Sequence, residues 1–104
     1  MQTPLQITFR DMPHSDALET HIREKAQKLE QFFNGLIGCR VVVEQSGKHH
    51  HQGNPFNVRI DLTAPGSEIV VDRKENEDVY VAVRDAFDAA KRQLEDYARK
   101  LSPT

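Results

Sequence analysis

The sequence carries one cysteine in 104 residues and no excess of positive charge: 14 lysines and arginines face 16 aspartates and glutamates, for a formal net charge of -2. A lone thiol, Cys39, forms no internal disulfide, which fits a reducing compartment. It stands just before an apolar run and reads as a buried structural thiol, not a nucleophile. The charge balance argues against a nucleic-acid binder of the strongly basic kind, although bulk charge says little about local patches. No apolar stretch is long enough to span a membrane, and the N-terminal MQTPLQITFR lacks a signal-peptide core, so a cytosolic protein is expected. Enzyme signatures are also missing. There is no phosphate-cradling glycine loop, no nucleophile elbow and no zinc-protease histidine pair. The carboxylates are scattered along surfaces, so no catalytic residue, cofactor or small-molecule substrate is assigned.

What is present is patterning. The longest apolar periodicity runs from Asp78 to Leu101, where Val79, Val83, Phe87, Ala90, Leu94, Tyr97 and Leu101 recur at steps of three and four. That spacing lines one face of an amphipathic helix. An earlier helix is predicted from Ser15 or Asp16 to about Asn34, with Leu18, Ile22, Ala26, Leu29 and Phe33 as its buried stripe. Ser15 or Asp16 supplies its N-cap and Gly35 a left-handed C-cap. Four strands are predicted. Leu5–Phe9 and Phe56–Thr63 alternate apolar and polar residues, Cys39–Glu44 is β-branched, and Glu68–Asp72 is the last. Ala64-Pro65-Gly66-Ser67 has Pro and Gly where a type II turn wants them.

The order strand, helix, three strands, helix predicts an α+β fold in one domain, residues 1–104. Short turns make the last three strands an antiparallel meander. The first strand reaches the second through a helix, so those two are expected to be parallel by a right-handed crossover. Both helices carry one apolar stripe, so a two-layer sandwich is expected, with a four-stranded sheet and both helices on one face. The other face of the sheet then presents Arg59, Asp61 and Thr63 to water.

Two local features bear on function. The loop SGKHHHQGNP contains His49, His50 and His51, and imidazole is a common metal ligand. Neighbouring histidines on one loop do not converge on an ion without partners elsewhere, so no metal site is assigned. A metal-responsive protein using this loop stays open as an alternative. The second feature is basic. Lys25 and Lys28 lie on the first helix, and Arg84, Lys91, Arg92, Arg99 and Lys100 on the second. If the helices lie side by side, some of these charges meet in a patch suited to RNA phosphates and shape. Asp78, Asp85, Asp88, Glu95 and Asp96 are interleaved with them, as on an ordinary solvated surface or one that binds a protein. Tyr80 and Tyr97 read as core or rim residues, by their helical spacing.

Three stretches carry a resemblance. They are KAQKLEQFF at 25–33, FNVRIDL at 56–62 followed by Pro65-Gly66, and DVYVAV at 78–83 followed by Asp88 and Arg92-Gln93-Leu94. In this order and spacing they resemble the ribosome hibernation-promoting factor and ribosome-associated inhibitor A family, also called sigma-54 modulation protein or S30AE. The resemblance implies a fold like a double-stranded-RNA-binding domain. It also implies a cytoplasmic, non-enzymatic protein that binds the small ribosomal subunit and its rRNA at the mRNA/tRNA channel, and inhibits translation or promotes hibernation under stress. Lys25, Lys28, Arg92 and Lys100 match basic positions of the family pattern; Arg84, Lys91 and Arg99 join them by proximity. The sequence departs from the pattern at Ala89 and Asp96, where members often carry lysine. Ending at Thr104, it resembles the short form. The alternatives are the metal-responsive protein and a protein-binding adaptor of the same fold.

Overall fold

The computed structural model describes residues 1–46 and 54–101. The His49–His51 run lies outside them. The elements follow in the order β1 (Gln6–Arg10), α1 (Asp16–Phe32), β2 (Gly38–Gln45), β3 (Phe56–Ala64), β4 (Ser67–Asn76) and α2 (Val79–Leu101). The sheet order is β1-β2-β3-β4. β1 runs parallel to β2, with Ile7 opposite Val41. The other pairs are antiparallel, with Val41 opposite Ile60 and Leu62 opposite Ile69. The expected α+β sandwich is therefore the architecture found.

Alternation decides which face of the sheet is dry. Val41, Val43, Val58, Ile60, Leu62 and Val71 are buried, while their neighbours Arg40, Arg59 and Asp72 are exposed. Leu18, Ile22, Ala26 and Leu29 of α1 and Val83, Phe87, Ala90 and Leu94 of α2 join the same core cluster, so both helices cover one face. The apolar stripe of α2 is wider than its seven-residue periodicity, because Ala82, Ala86 and Ala89 are buried too. Their small side chains let the helix lie close on the sheet.

Three local expectations are corrected. The helix α1 ends at Phe32, before Asn34, and Phe33 caps it in an extended conformation with φ -134°. Gly35 is not left-handed; among the described residues only Gly66 is a glycine with positive φ. Its surroundings are tight instead: a Cβ there would come within 2.9 Å of the Phe33 ring, which would have to shift. That ring leaves the helix to meet Tyr97 edge to face, at 5.8 Å between centroids. The strand β4 continues to Asn76, beyond Asp72. A register shift between Val58 and Ile60, opposite Lys74 and Val71, lets β4 absorb one extra residue as a bulge. Its charged continuation suits a sheet edge, where one side stays in water. Finally, Leu101 is 57% exposed and stands outside the stripe. Tyr97 already reaches the Pro65 carbonyl at the β3–β4 turn, which is the end of the sheet, so a helical turn later nothing lies beneath.

The turns follow their chemistry. Gly66, at φ 75°, occupies the position that a type II turn reserves for glycine. Ser15 Oγ accepts from the Leu18 amide at 3.2 Å and so caps α1, and Asp78 Oδ1 accepts from the Tyr80 amide at 2.9 Å at the start of α2.

Cys39 is buried on the core side of β2. Desolvation by burial, helped by the nearby Asp61 charge, pushes its pKa from 9.0 up to about 12. The thiolate is the reactive form, so Cys39 is expected to resist a thiol-specific reagent in the native protein and to react fully once unfolded. The folded state holds its proton where the unfolded chain has lost it. Stability should therefore fall as pH rises from about 9 towards 12, and Cys39→Ala should flatten that fall in urea titrations across the range.

Candidate nucleic-acid interface

Residues three, four and seven apart share a helix face. On α1 this rule sets Lys25, Lys28 and Phe32 in one stripe, and on α2 it stacks Phe87 and Lys91. The helices run roughly parallel: His21 meets Tyr80 near their starts, at 5.0 Å between rings, and Phe33 meets Tyr97 near their ends. The two stripes therefore face each other across the inter-helix groove. They enclose a cleft of about 170 Å³ lined by Lys25, Lys28, Leu29, Phe32, Phe87, Asp88 and Lys91. Lys91 Nζ stands 5.0 Å from the centroid of the Phe32 ring, an exposed cation–π contact of about 0.5–1 kcal/mol. Three ammonium groups against one carboxylate leave a local excess of two positive charges, in a chain whose net charge is -2. The apolar floor and cationic rim suit an anion attached to something flat or greasy.

The seven basic residues expected at this surface divide. Lys25, Lys28 and Lys91 come together in the cleft. Arg84 is exposed on the outer face of α2 and pairs with its neighbour Asp85 at 3.2 Å. Arg99, also exposed, pairs with Asp96. Arg92 is exposed and makes no ion pair among the described residues. Lys100 stands apart. It lines a separate cleft with Ser67, Ile69, Gln93, Asp96 and Tyr97, on the β4 side of α2. Nine residues is about two and a half helical turns, so Lys91 and Lys100 point to opposite sides.

Phe32 was not among the expected residues, and a local signal could have pointed to it. Phe32 and Phe33 are adjacent, and at about 100° per residue both cannot face one core. Phe33 takes the inner position, which leaves Phe32 44% exposed.

The other face of the sheet is polar, with Arg59 held by Asp61 at 3.1 Å and Arg40 by Gln6 at 3.3 Å. Among the described residues no group of three or more histidine, cysteine, aspartate or glutamate side chains is placed to hold a metal ion. No helix among them is long and apolar enough to cross a membrane.

A family model described as "Sigma 54 modulation protein / S30EA ribosomal protein" matches residues 5–102. The chain belongs to this family. The S30EA resemblance carried by KAQKLEQFF, FNVRIDL and DVYVAV thus extends over nearly the whole chain. Two solved structures share the S30EA fold seen here. The Protein Y N-terminal domain of Thermus thermophilus aligns with a TM-score of 0.74 at 24% identity, over 88% of this chain and 94% of that one. A ribosomal subunit interface protein from Coxiella burnetii aligns with a TM-score of 0.74 at 19% identity, over 90% and 96%. A search of curated proteins finds no match.

Proposed function

We propose that this S30EA protein is a non-enzymatic, cytoplasmic ribosome-binding factor. It binds the small ribosomal subunit through rRNA at the mRNA/tRNA channel and holds translation down in idle or stressed cells. The observation that carries this reading is the convergence of Lys25, Lys28 and Lys91 on one groove of a chain that is acidic overall. Family membership and the likeness to a ribosomal subunit interface protein support it. The mechanism is occlusion. A two-layer sandwich with a buried core is stiff, so once its lysines engage phosphates it fills space that messenger and transfer RNA need. Arg84, Arg92 and Arg99, exposed on α2, would serve as secondary contacts. Lys100 would require the RNA to wrap to the far side of α2.

Co-sedimentation with purified small subunits at low and raised salt tests the proposal; absence from the pellet at low salt would sink it. A sharper check uses Asp88, the one carboxylate in the cleft. Asp88→Asn removes a charge that repels phosphate. It is expected to tighten subunit binding by about two- to tenfold at low salt, with the gain shrinking as salt screens it. An Asp88→Asn protein that binds more weakly would show that this carboxylate makes a favourable contact.

A further inference from the structure

We propose that Phe32 is a stacking platform for one unpaired RNA base, so that the cleft prefers single-stranded or looped RNA over duplex. The inference rests on the RNA-binding reading above and specifies the class of RNA. An exposed phenylalanine alone means little, because folded proteins leave much apolar surface in water. Its company is what distinguishes this one. Phe32 ends the stripe that carries Lys25 and Lys28, and Lys91 stands 5.0 Å from its ring centroid. One ammonium, that of Lys91, thus stands over a flat, 44% exposed aromatic side chain, and Lys25 and Lys28 line the same cleft.

Each part of a nucleotide finds its counterpart here. The phosphate meets lysine, and the base meets a ring face. A cleft that bound phosphate alone would need no aromatic floor. In a duplex the base faces are already stacked on one another and unavailable, whereas loops, bulges and ends can splay a base onto an aromatic side chain. In the free protein the Lys91 ammonium lies against the ring. When a base stacks there, Lys91 can move onto the adjoining phosphate and exchange a weak cation–π contact for a charge-assisted hydrogen bond. Tyr80, the other exposed aromatic, is not among the residues that line the cleft.

The test measures binding of a short mixed-sequence RNA, single-stranded and as a duplex, to the full chain by fluorescence anisotropy at low salt. Phe32→Ala and Phe32→Leu are both expected to weaken single-strand binding by about 5- to 150-fold, the range for losing one stacked base, and to leave duplex binding unchanged. Leucine keeps the apolar bulk and loses only the π face. Phe32→Trp should retain affinity. The sequence has no tryptophan, so the fluorescence of this variant reports position 32 alone and should be quenched by the single strand. Wild-type affinity in Phe32→Leu, equal losses for both RNAs in Phe32→Ala, or no quenching in Phe32→Trp overturns the stacking role. The triple reversal Lys25→Glu, Lys28→Glu, Lys91→Glu separates this from the parent reading. If that variant loses RNA while the Phe32 variants do not, the cleft stands and stacking falls. If the triple variant binds both RNAs normally, or the wild type binds neither, both fall.

Discussion

Reversing Lys25, Lys28 and Lys91 to glutamate in one chain is expected to weaken small-subunit binding by at least 100-fold and to clear the protein from the ribosomal pellet. The size follows from counterion release. Each phosphate neutralised contributes about 0.7–0.9 to the slope of log affinity against log salt. Three lysines therefore predict a slope of about -2 to -3, so a fourfold rise in salt should weaken wild-type binding about 20- to 40-fold. The triple variant removes those contacts and sets three negative charges against the phosphates, which adds repulsion to the loss. Salt screens that repulsion, so its residual binding should fall less steeply with salt than that of the wild type. Surface substitutions of this kind change stability little, usually within about 0.5 kcal/mol each, so the variant should stay folded.

The controls come from the positions of the other basic residues. Arg84 is paired with Asp85 and Arg99 with Asp96. Arg84→Ala and Arg99→Ala should each cost only a few-fold, because removing a partnered charge frees its carboxylate and changes the local field modestly. Lys100→Glu, on the β4 side of α2, should matter least. A Lys100 effect as large as that of Lys28 would mean that RNA contacts the far side of α2 as well, and a triple variant that still sediments would remove the cleft from consideration.

The largest stability effect is expected at Leu94. It is fully buried where α2 meets the common core. Leu94→Ala deletes buried methyl groups and leaves a cavity that close packing does not refill, at a cost of about 2–5 kcal/mol. Single domains have about 5–15 kcal/mol in total, so this is a large share of what holds the fold. The melting temperature should drop by about 8 °C or more, at roughly 4–8 °C per kcal/mol for a domain of this size. Leu101→Ala, seven residues on and 57% exposed, should shift stability by no more than about 0.5 kcal/mol. Paired urea titrations followed by circular dichroism compare the two. Equal losses would show that the last turn of α2 docks on something, contrary to its exposure.

That pair also illustrates how much of the molecule was legible beforehand. Leu94 and Leu101 occupy equivalent places in the same three-four periodicity, and nothing local distinguishes them. Only the length of the sheet does, since Tyr97 reaches the Pro65 carbonyl at its end. Similarly, alternation in FNVRIDL assigns Val58, Ile60 and Leu62 to the dry face, and they are buried as expected. Yet the polar run after Asp72 gave no sign of continuing β4 to Asn76. An edge strand can carry charge on its solvent side, and the bulge that keeps it in register involves its partner strand. Gly35 looked like a helix terminator by type. Its role depends on where the Phe33 ring goes, and that is set by Tyr97 on another helix.

The candidate site divides along the same line. By itself the sequence determined the elements, their order, the parallel crossover from β1 to β2 and the family, because these rest on periodicity, turn chemistry and local strings. It also singled out every basic residue that lines the cleft. It did not determine which of the seven lie together. That depends on the rotation of α1 and α2 about their axes and on their separation, both set by packing on the sheet. The tertiary structure alone gathered Lys25, Lys28 and Lys91 around Phe32 and Asp88. It also turned Lys100 to the opposite side of α2, because residues nine apart on a helix point about half a turn away from each other.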